Sequence, residues 1–309
     1  MLFSNIPQRR ARLTHFLGLA LVTLSVGCSN VIASDVAVPV VDSADASGSA
    51  DASANAVKSN GDTLAAIASQ QVIYLGETHT SEADHLAQLE LIQALAEEQK
   101  AEEQQIVIGL EMFQRPFQPI LDRYLAGEIS EAELIAQSEY ETRWGYDWEL
   151  YAPIIRYAKD NQIPLIALNT PAEVTRQVAR EGLESLSGDA LTYIPPIEDI
   201  DTTDQAYRDS IAGVFNAHGG AGHSMNFDNF FAAQVLWDET MAEAVVKQLE
   251  ADPNQQVIVL VGEGHIAYDY GIPNRVERRM PDVAQASVRL IPSEEQAEAG
   301  FADYFWMTE

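Results

Sequence analysis

Five runs of mainly apolar residues constrain the fold of this chain more than any other feature of its sequence. They cover residues 72–75, 105–110, 164–168, 257–261 and 286–291. None alternates cleanly between apolar and polar residues, which is typical of strands covered on both faces. Each run is therefore predicted to be a buried strand.

Patterns of helical periodicity separate these runs. Residues 81–103, 148–160 and 228–249 carry apolar residues at the spacing of one helix face. Strands that alternate with helices predict an α/β fold, with a mainly parallel central sheet flanked by helices. Two longer stretches, 114–146 and 187–249, are predicted to be helical insertions. We expect them to form a helical lid or small subdomain over the carboxyl ends of the strands.

Polar residues follow four of the five predicted strands. Two strands end in matching turns, Gly76-Glu77-Thr78-His79 and Gly262-Glu263-Gly264-His265, while Glu111 follows a third strand and Asn169 a fourth. Because the carboxyl ends of parallel strands meet at one edge of a sheet, these residues are expected to converge on one rim.

The two turns repeat a carboxylate next to an imidazole, which is a pairing suited to general acid–base work or to metal binding. A single histidine is more often a hydrogen-bonded structural residue, but two such turns at strand ends favour function. The candidate catalytic residues are Glu77, His79, Glu111, Glu263 and His265, and the candidate ligands for a divalent metal are His79 and His265.

The segment after the second turn carries a further set of candidates. Tyr268 and Tyr270 follow it directly, and a tyrosinate oxygen can ligate ferric haem, although packing is the commoner use of tyrosine. Arg275, Arg278 and Arg279 lie on a predicted short helix and form a candidate clamp for carboxylate or phosphate, unless they pair with local acidic residues. His85, early in the helix after the first turn, is expected to face the same crevice.

Several stretches together resemble one known family. The chain is similar to the ChaN-like family of haem-binding uptake lipoproteins, within a group that includes erythromycin-esterase-like, TraB-like and Tiki-like proteins. The resemblance covers about residues 62–282 and rests on Leu75-Gly-Glu-Thr-His79, Gly109-Leu-Glu-Met-Phe113 with Gln118, residues 148–158, Ala167-Leu-Asn169, residues 233–242, Gly262-Glu-Gly-His-Ile266 and Tyr270-Gly-Ile-Pro273.

This resemblance implies a fold, a cofactor and a site. It implies an α/β core with a helical subdomain, attachment to a membrane through a lipidated cysteine, and haem held at a dimer interface by tyrosine, with basic side chains on the propionates. In the broader group, the paired turns and a glutamate form a hydrolytic or metal site. Tyr268 and Tyr270 are the expected haem ligands here, and Arg275, Arg278, Arg279 and His85 the other cofactor-binding residues.

The N-terminal sequence is typical of export. Residues 1–27 are predicted to be a lipoprotein-type signal peptide, with three arginines before an apolar run that ends at Cys28, the only cysteine. Cys28 is the expected lipidation site, and a plain signal peptide is the alternative. Residues 28–61, rich in Ala, Ser and Asp, are predicted to be a flexible tether. The folded domain is expected at 62–292, and an acidic, then aromatic tail at 293–309, whose aromatic end we expect to dock on the domain.

The charge of the chain excludes one class of partner. Its net charge is -29, and without the three N-terminal arginines 15 basic residues face 47 acidic ones, a balance of -32. Such a surface repels nucleic acid.

Taken together, these features support two hypotheses for an exported, membrane-anchored protein on the periplasmic or cell-surface side. One is a haem-binding protein for haem or iron uptake, for which the resemblance implies a homodimer; the other is a metal-dependent or acid–base hydrolase.

Overall fold

The computed structural model describes residues 57–101, 104–217 and 226–308. Cys28, the expected signal peptide and most of the expected tether lie outside these residues. Within them, no helix is long and apolar enough to span a membrane.

Six parallel strands form one sheet in the order β3-β2-β4-β1-β5-β6. Their bounds are β1 Val72–Glu77, β2 Ile106–Gln114, β3 Leu165–Asn169, β4 Gln256–Gly262, β5 Gln285–Ile291 and β6 Tyr304–Met307. The α/β class, the parallel sheet and the five expected strands are therefore confirmed. The sixth strand comes from the aromatic end of the tail, so the sheet extends past the expected domain end at 292.

Ten α-helices lie between and around these strands in the described part of the chain. They are α1 Asn60–Ile67, α2 Glu82–Ala101, α3 Gln118–Leu125, α4 Glu131–Gln137, α5 Tyr140–Arg143, α6 Trp148–Asp160, α7 Ala172–Glu181, α8 Gln205–Ala217, α9 Phe227–Ala251 and α10 Ile272–Arg279. The side chain of Asp147 caps α6 by accepting a hydrogen bond from Glu149 N. The side chain of Asn226 caps α9 by accepting one from Asp228 N.

Helices cover the sheet on both faces, which explains the continuous apolar runs. Successive residues of a strand point to opposite faces. In β1, Ile73 and Leu75 pack in a core with residues of α2 and α6, while Val72 and Tyr74 pack in a second core with residues of α9 and α10. All four side chains are fully buried.

The two long insertions differ in regularity. The first, 114–146, holds the short helices α3, α4 and α5, as expected of a helical insertion. The second holds α8 and α9, but residues 187–204 contain only two 3-10 turns, Gly188–Leu191 and Ile197–Asp199. Pro195 and Pro196, which follow one another in this stretch, disfavour a continuous α-helix through it.

Candidate functional site

The first turn places an imidazole on a buried carboxylate at the end of β1. Glu77 is 2% exposed, and its Oε1 lies 2.9 Å from His79 Nδ1. The Tyr151 hydroxyl donates to the same oxygen at 2.6 Å, and Gln88 Nε2 donates to Oε2 at 2.7 Å. Both oxygens of Glu77 are therefore engaged, which fixes the orientation of His79.

The charges of this pair support one another. Burial raises the pKa of Glu77, but the hydrogen bond with His79 and the nearby imidazoles outweigh it, and the pKa is lowered overall. Burial lowers the pKa of His79, but the hydrogen bond with Glu77 and the charge of Glu111 outweigh it, and the pKa is raised overall. Glu77 is thus a carboxylate at neutral pH, and His79 binds a proton more readily than a free histidine.

The second turn places its imidazole between two carboxylates. His265 Nδ1 lies 2.6 Å from Asp238 Oδ1 of α9, and His265 Nε2 lies 3.4 Å from Glu111 Oε1 of β2. The Tyr207 hydroxyl donates to Asp238 Oδ2 at 2.6 Å. Burial lowers the pKa of His265, but the charges of Glu111 and Asp238 outweigh it and raise the pKa to about 10. His265 is therefore an imidazolium at neutral pH.

Glu111 connects the ends of β2, β3 and β4, and His79 of the first turn lies close enough for its charge to act on the Glu111 carboxylate. Its Oε2 accepts a hydrogen bond from Gly262 N at 2.7 Å, and Asn169 Nδ2 donates to its main-chain oxygen at 2.9 Å. Burial raises the pKa of Glu111, but the charge of His265 and the other contacts lower it to about 2. The structure thus brings together the polar endings of β1, β2, β3 and β4 around one ionised carboxylate.

The two matching turns are not equivalent in the sheet, because the strands are offset by one residue. Gly76 pairs with Val261, and Glu77 pairs with Gly262. A Cβ on Gly262 would lie 2.8 Å from His79 Nε2, and a Cβ on Gly76 would lie 2.4 Å from the side chain of Ile266. Gly262 therefore leaves space for His79 of the first turn, and Gly76 leaves space for Ile266, the residue after the second turn.

Glu263 points away from both histidines. Its carboxylate accepts hydrogen bonds from Arg289 of β5, at 2.8 Å from Nε and 3.3 Å from Nη2. Glu263 lies one residue beyond the level of Glu77, where β4 has ended and the 3-10 turn Glu263–His265 begins. The structure brings Glu77, His79, Glu111 and His265 together, but not Glu263.

His85 lies behind Glu77 and is buried, with 3% exposure. Its Nε2 lies 3.1 Å from the His79 main-chain oxygen, and its Nδ1 lies 3.3 Å from Gln88 Oε1 and 3.3 Å from Glu77 Oε2. Its ring packs against Tyr151 at 4.3 Å between centroids. His85 thus supports the first turn from inside the domain.

Tyr268 and Tyr270 lie side by side, with 5.7 Å between ring centroids, and both are partly exposed. The Tyr268 hydroxyl donates to Glu298 Oε1 at 2.5 Å. Burial and this hydrogen bond raise the pKa of Tyr268, so its phenol is neutral at physiological pH. The two rings form a partly exposed tyrosine pair beside the rim.

The three arginines converge on Glu239 of α9, which is fully buried. Arg275 Nε lies 3.3 Å, Arg278 Nη2 2.7 Å and Arg279 Nη2 2.6 Å from its carboxylate. Arg275 is only 2% exposed, and Arg279 is largely buried. The three arginines therefore pair with an acidic side chain, but with the distant Glu239 of α9 rather than with the local acidic residues that the sequence left open. Arg278, with 37% of its side chain exposed, is the arginine of the three that reaches solvent best.

Aromatic rings flank the two site histidines. The ring of His79 lies 4.9 Å from that of Trp144 and 5.0 Å from that of Tyr146, and the ring of His265 lies 6.2 Å from that of Trp237. The side chains of His79 and His265 keep 11% and 10% exposure. Both imidazoles therefore keep some access to the surface, His79 between two aromatic rings and His265 beside one.

Sequence reasoning missed Asp238, Tyr207, Tyr151 and Gln88. Asp238 lies in the middle of α9, and no strand end marks it. The available signal was two adjacent acidic residues, Asp238 and Glu239, in a helix whose neighbouring residues are apolar and buried. A carboxylate inside such a helix needs a partner, because an unpaired buried charge is very costly.

The two imidazoles and their carboxylates are suited to proton transfer. Within residues 57–101, 104–217 and 226–308, no group of three or more His, Cys, Asp or Glu side chains is arranged to hold a metal ion. The Nδ1 atoms of His79 and His265 are both engaged by carboxylates. A titratable imidazole beside a charged one can move a proton and stabilise a developing negative charge.

Comparison with known proteins identifies relatives of this chain. Residues 63–276 match the protein family that is described as "Haem-binding uptake, Tiki superfamily, ChaN". The protein RETICULATA-RELATED 5, chloroplastic, of Arabidopsis thaliana is 26% identical over 259 residues, which are 76% of this chain. Those residues are 34% of the plant protein, so the chain spans about a third of that relative's length.

Two solved structures are similar to this chain. ChaN of Campylobacter jejuni, solved with cofacial haem binding, has a TM-score of 0.61 and 19% identity, over 81% of this chain and 91% of that one. A mutant erythromycin esterase in its open conformation has a TM-score of 0.45 and 16% identity, over 74% of this chain and 72% of that one. At these identities the first likeness shows the fold alone, and the second is too distant to support even that.

Proposed function

Because this chain belongs to the ChaN haem-binding uptake family of the Tiki superfamily, we propose that it is an exported lipoprotein that binds haem for uptake or handling of haem or iron. The observation that carries the proposal within this chain is the tyrosine pair, Tyr268 and Tyr270, which lies inside the matched region. A phenolate oxygen is an established axial ligand of haem iron.

The residues around the pair fit this role in part. Tyr268 and Tyr270 are both partly exposed, so a planar ligand can reach the pair from solvent, and the Tyr268 hydroxyl becomes available to it when the contact with Glu298 breaks. Arg278 would pair with a haem propionate, since it is the most exposed of the three arginines on Glu239. When bound, haem would supply the iron chemistry, while these side chains bind and orient the group.

The anchor and the assembly belong to the same proposal. We propose that Cys28 carries the lipid that holds the domain at a membrane, on the periplasmic or cell-surface side. We also propose that haem is bound where two copies of the chain meet. The family resemblance and the unique cysteine support these points.

Titration with hemin tests the proposal. The wild-type chain should give a saturable Soret band, and Tyr268→Phe with Tyr270→Phe should weaken binding by at least tenfold. Tyr157→Phe is the matched control, because Tyr157 is a partly exposed tyrosine of α6 that packs on the core of the opposite sheet face, and this change should leave binding unaltered. Absence of a saturable band from the wild-type chain would refute haem binding. Equal binding by the double variant would refute the tyrosine mode.

A second function is favoured by one observation, the shared Glu111 carboxylate between the two imidazole turns. We propose, as the alternative, a hydrolase in which His79 accepts a proton from water and the His265 imidazolium stabilises the negative charge that develops on the substrate. Glu77 and Asp238 would hold the two rings by their Nδ1 atoms.

Hydrolysis of p-nitrophenyl acetate provides a first assay of this alternative. Glu111→Gln should abolish any activity, whereas Glu263→Gln, which removes an equal charge at the Arg289 contact, should retain it. Equal loss in both variants would contradict a specific role for Glu111 between the two imidazoles. Wild-type hydrolysis no faster than that of a His79→Gln, His265→Gln double variant would count against the alternative for this ester.

A further inference from the structure

A segment near the C-terminus lies across the turn that carries Tyr268. Residues 293–303, which we name the strap, join β5 to β6 and contain one 3-10 turn, Glu294–Gln296. Tyr268 donates its backbone N–H to the Phe301 oxygen at 2.8 Å and its hydroxyl to Glu298 Oε1 at 2.5 Å. The Phe301 ring lies 5.3 Å from the Tyr268 ring. The strap therefore contacts Tyr268 at its main chain, its ring and its hydroxyl.

The turn under the strap has a backbone conformation that requires support. Tyr268 has φ 55° and Asp269 has φ 59°, a left-handed conformation that is unfavourable for residues with a side chain. Such residues persist where their surroundings hold them, and they are concentrated at binding and switching segments. The hydrogen bond from Tyr268 N to Phe301 supplies part of that support from the strap.

The strap is anchored at both ends. Near its start, Arg289 Nη1 donates to the Gln296 oxygen at 3.1 Å. Near its end, the same guanidinium lies 3.9 Å from the centre of the Phe301 ring. At its end, Asp303 Oδ2 accepts from Ser287 N at 2.8 Å, and β6 then pairs with β5. Ala299 and Gly300, between the anchors, are exposed. This arrangement allows the centre to move while the ends stay attached.

We propose that the strap controls ligand access to Tyr268, with Glu298 occupying the tyrosine hydroxyl until a ligand displaces it. The proposal rests on the proposed haem binding. A hydroxyl that donates its proton to Glu298 cannot at the same time give its oxygen to ferric iron as a phenolate. On binding, Tyr268 would release its phenolic proton to solvent, and its oxygen would then be free to hold the iron that haem supplies, with no change of oxidation state.

The size of the effect follows from the hydrogen bond that opening breaks. A hydrogen bond to a charged group in a partly exposed position corresponds to about a tenfold change in an equilibrium constant. The apparent dissociation constant of a ligand rises as the fraction of open protein falls. Removing the Glu298 carboxylate should therefore tighten hemin binding about tenfold.

Hemin titration of Glu298→Ala and Glu295→Ala tests this proposal. Glu295 is an exposed strap residue of the same charge, which makes it the matched control. Glu298→Ala should bind about tenfold more tightly than wild type, and Glu295→Ala should bind equally to wild type. In a Tyr268→Phe background, Glu298→Ala should give no further gain. Equal dissociation constants for the two alanine variants would overturn the proposal.

Hydrogen exchange without hemin separates failure of the strap from failure of haem binding. The Phe301 amide should exchange faster in Glu298→Ala than in Glu295→Ala, because it donates to the Glu298 main-chain oxygen at 3.1 Å, in the part of the strap that opens. If no variant binds hemin, the proposed function fails whatever the exchange rates are. If exchange is equal in the two variants, Glu298 does not hold the strap closed and the inference fails, even if hemin binds.

Discussion

The ion pairs of His265 should make the stability of this protein fall steeply with pH in a defined range. His265 is buried between Asp238 and Glu111, and its pKa is raised from 6.5 to about 10. A raised pKa means that the folded state binds the proton more tightly than the unfolded state. The stabilisation is therefore complete below pH 6.5, declines as the pH rises, and is lost above about pH 10.

The magnitude follows from one proton. Between pH 6.5 and 10, the contribution should fall by about 1.4 kcal/mol per pH unit, a total on the order of 5 kcal/mol. His265→Gln removes the titrating group. The difference in unfolding free energy between wild type and this variant should therefore fall with that slope, while charges elsewhere on the acidic chain cancel in the difference.

Urea denaturation followed by tryptophan fluorescence at several pH values between 6 and 10 gives the required free energies. Ser138→Ala is a suitable control, because it removes a buried hydroxyl that donates to the Leu134 oxygen at 2.7 Å and carries no charge. Its difference from wild type should be constant with pH. A difference for His265→Gln that is equally constant would refute the assignment of a buried imidazolium at the rim.

Two further predictions concern packing and buried charge. Gly262→Ala should destabilise the fold by about 1–3 kcal/mol, measured by denaturation, because its Cβ would lie 2.8 Å from His79 Nε2; wild-type stability would contradict the close approach. Glu239→Gln should cost about 3–5 kcal/mol, because it leaves Arg275 and its two neighbours without their buried carboxylate. By contrast, Glu131→Gln, which breaks a partly exposed ion pair, should cost under about 1 kcal/mol, and equal losses in these two variants would contradict the importance of burial.

Much of the fold could be predicted from the sequence because hydrophobic patterning reflects burial. The five continuous apolar runs are strands, and β1 shows the cause, since its alternate side chains enter two different cores. β6 was harder to predict because it has only four residues and follows an acidic segment. Its place in the sheet depends on pairing with β5, a contact made by folding rather than by local sequence.

The candidate site could be predicted only where its residues end strands. Glu77, His79, Glu111 and His265 have that position, and parallel strands bring them together. Glu263 shows that two similar sequence motifs need not place their side chains alike. The strands β1 and β4 are offset by one residue, and the Glu263 side chain contacts Arg289 rather than either histidine. Neither that offset nor the partners that helices supply can be read from the turns themselves.

The arginines illustrate the same limit for charge. Their clustering in a chain with few basic residues favoured an external anion, but their partner is Glu239, which lies more than 30 residues earlier in the sequence. Burial of that carboxylate follows from the packing of α9 against α10, a tertiary contact. Binding of an external carboxylate or phosphate therefore stays a prediction for Arg278 only, since it is the one of the three with an exposed side chain.

Electron paramagnetic resonance of the ferric haem complex tests the central proposal most directly, since it identifies the groups that ligate the iron. We predict a high-spin ferric signal typical of phenolate ligation in the wild-type chain, lost when Tyr268 and Tyr270 are both changed to phenylalanine. A low-spin signal typical of two histidine ligands, unchanged in that double variant and lost in His79→Gln or His265→Gln, would contradict it.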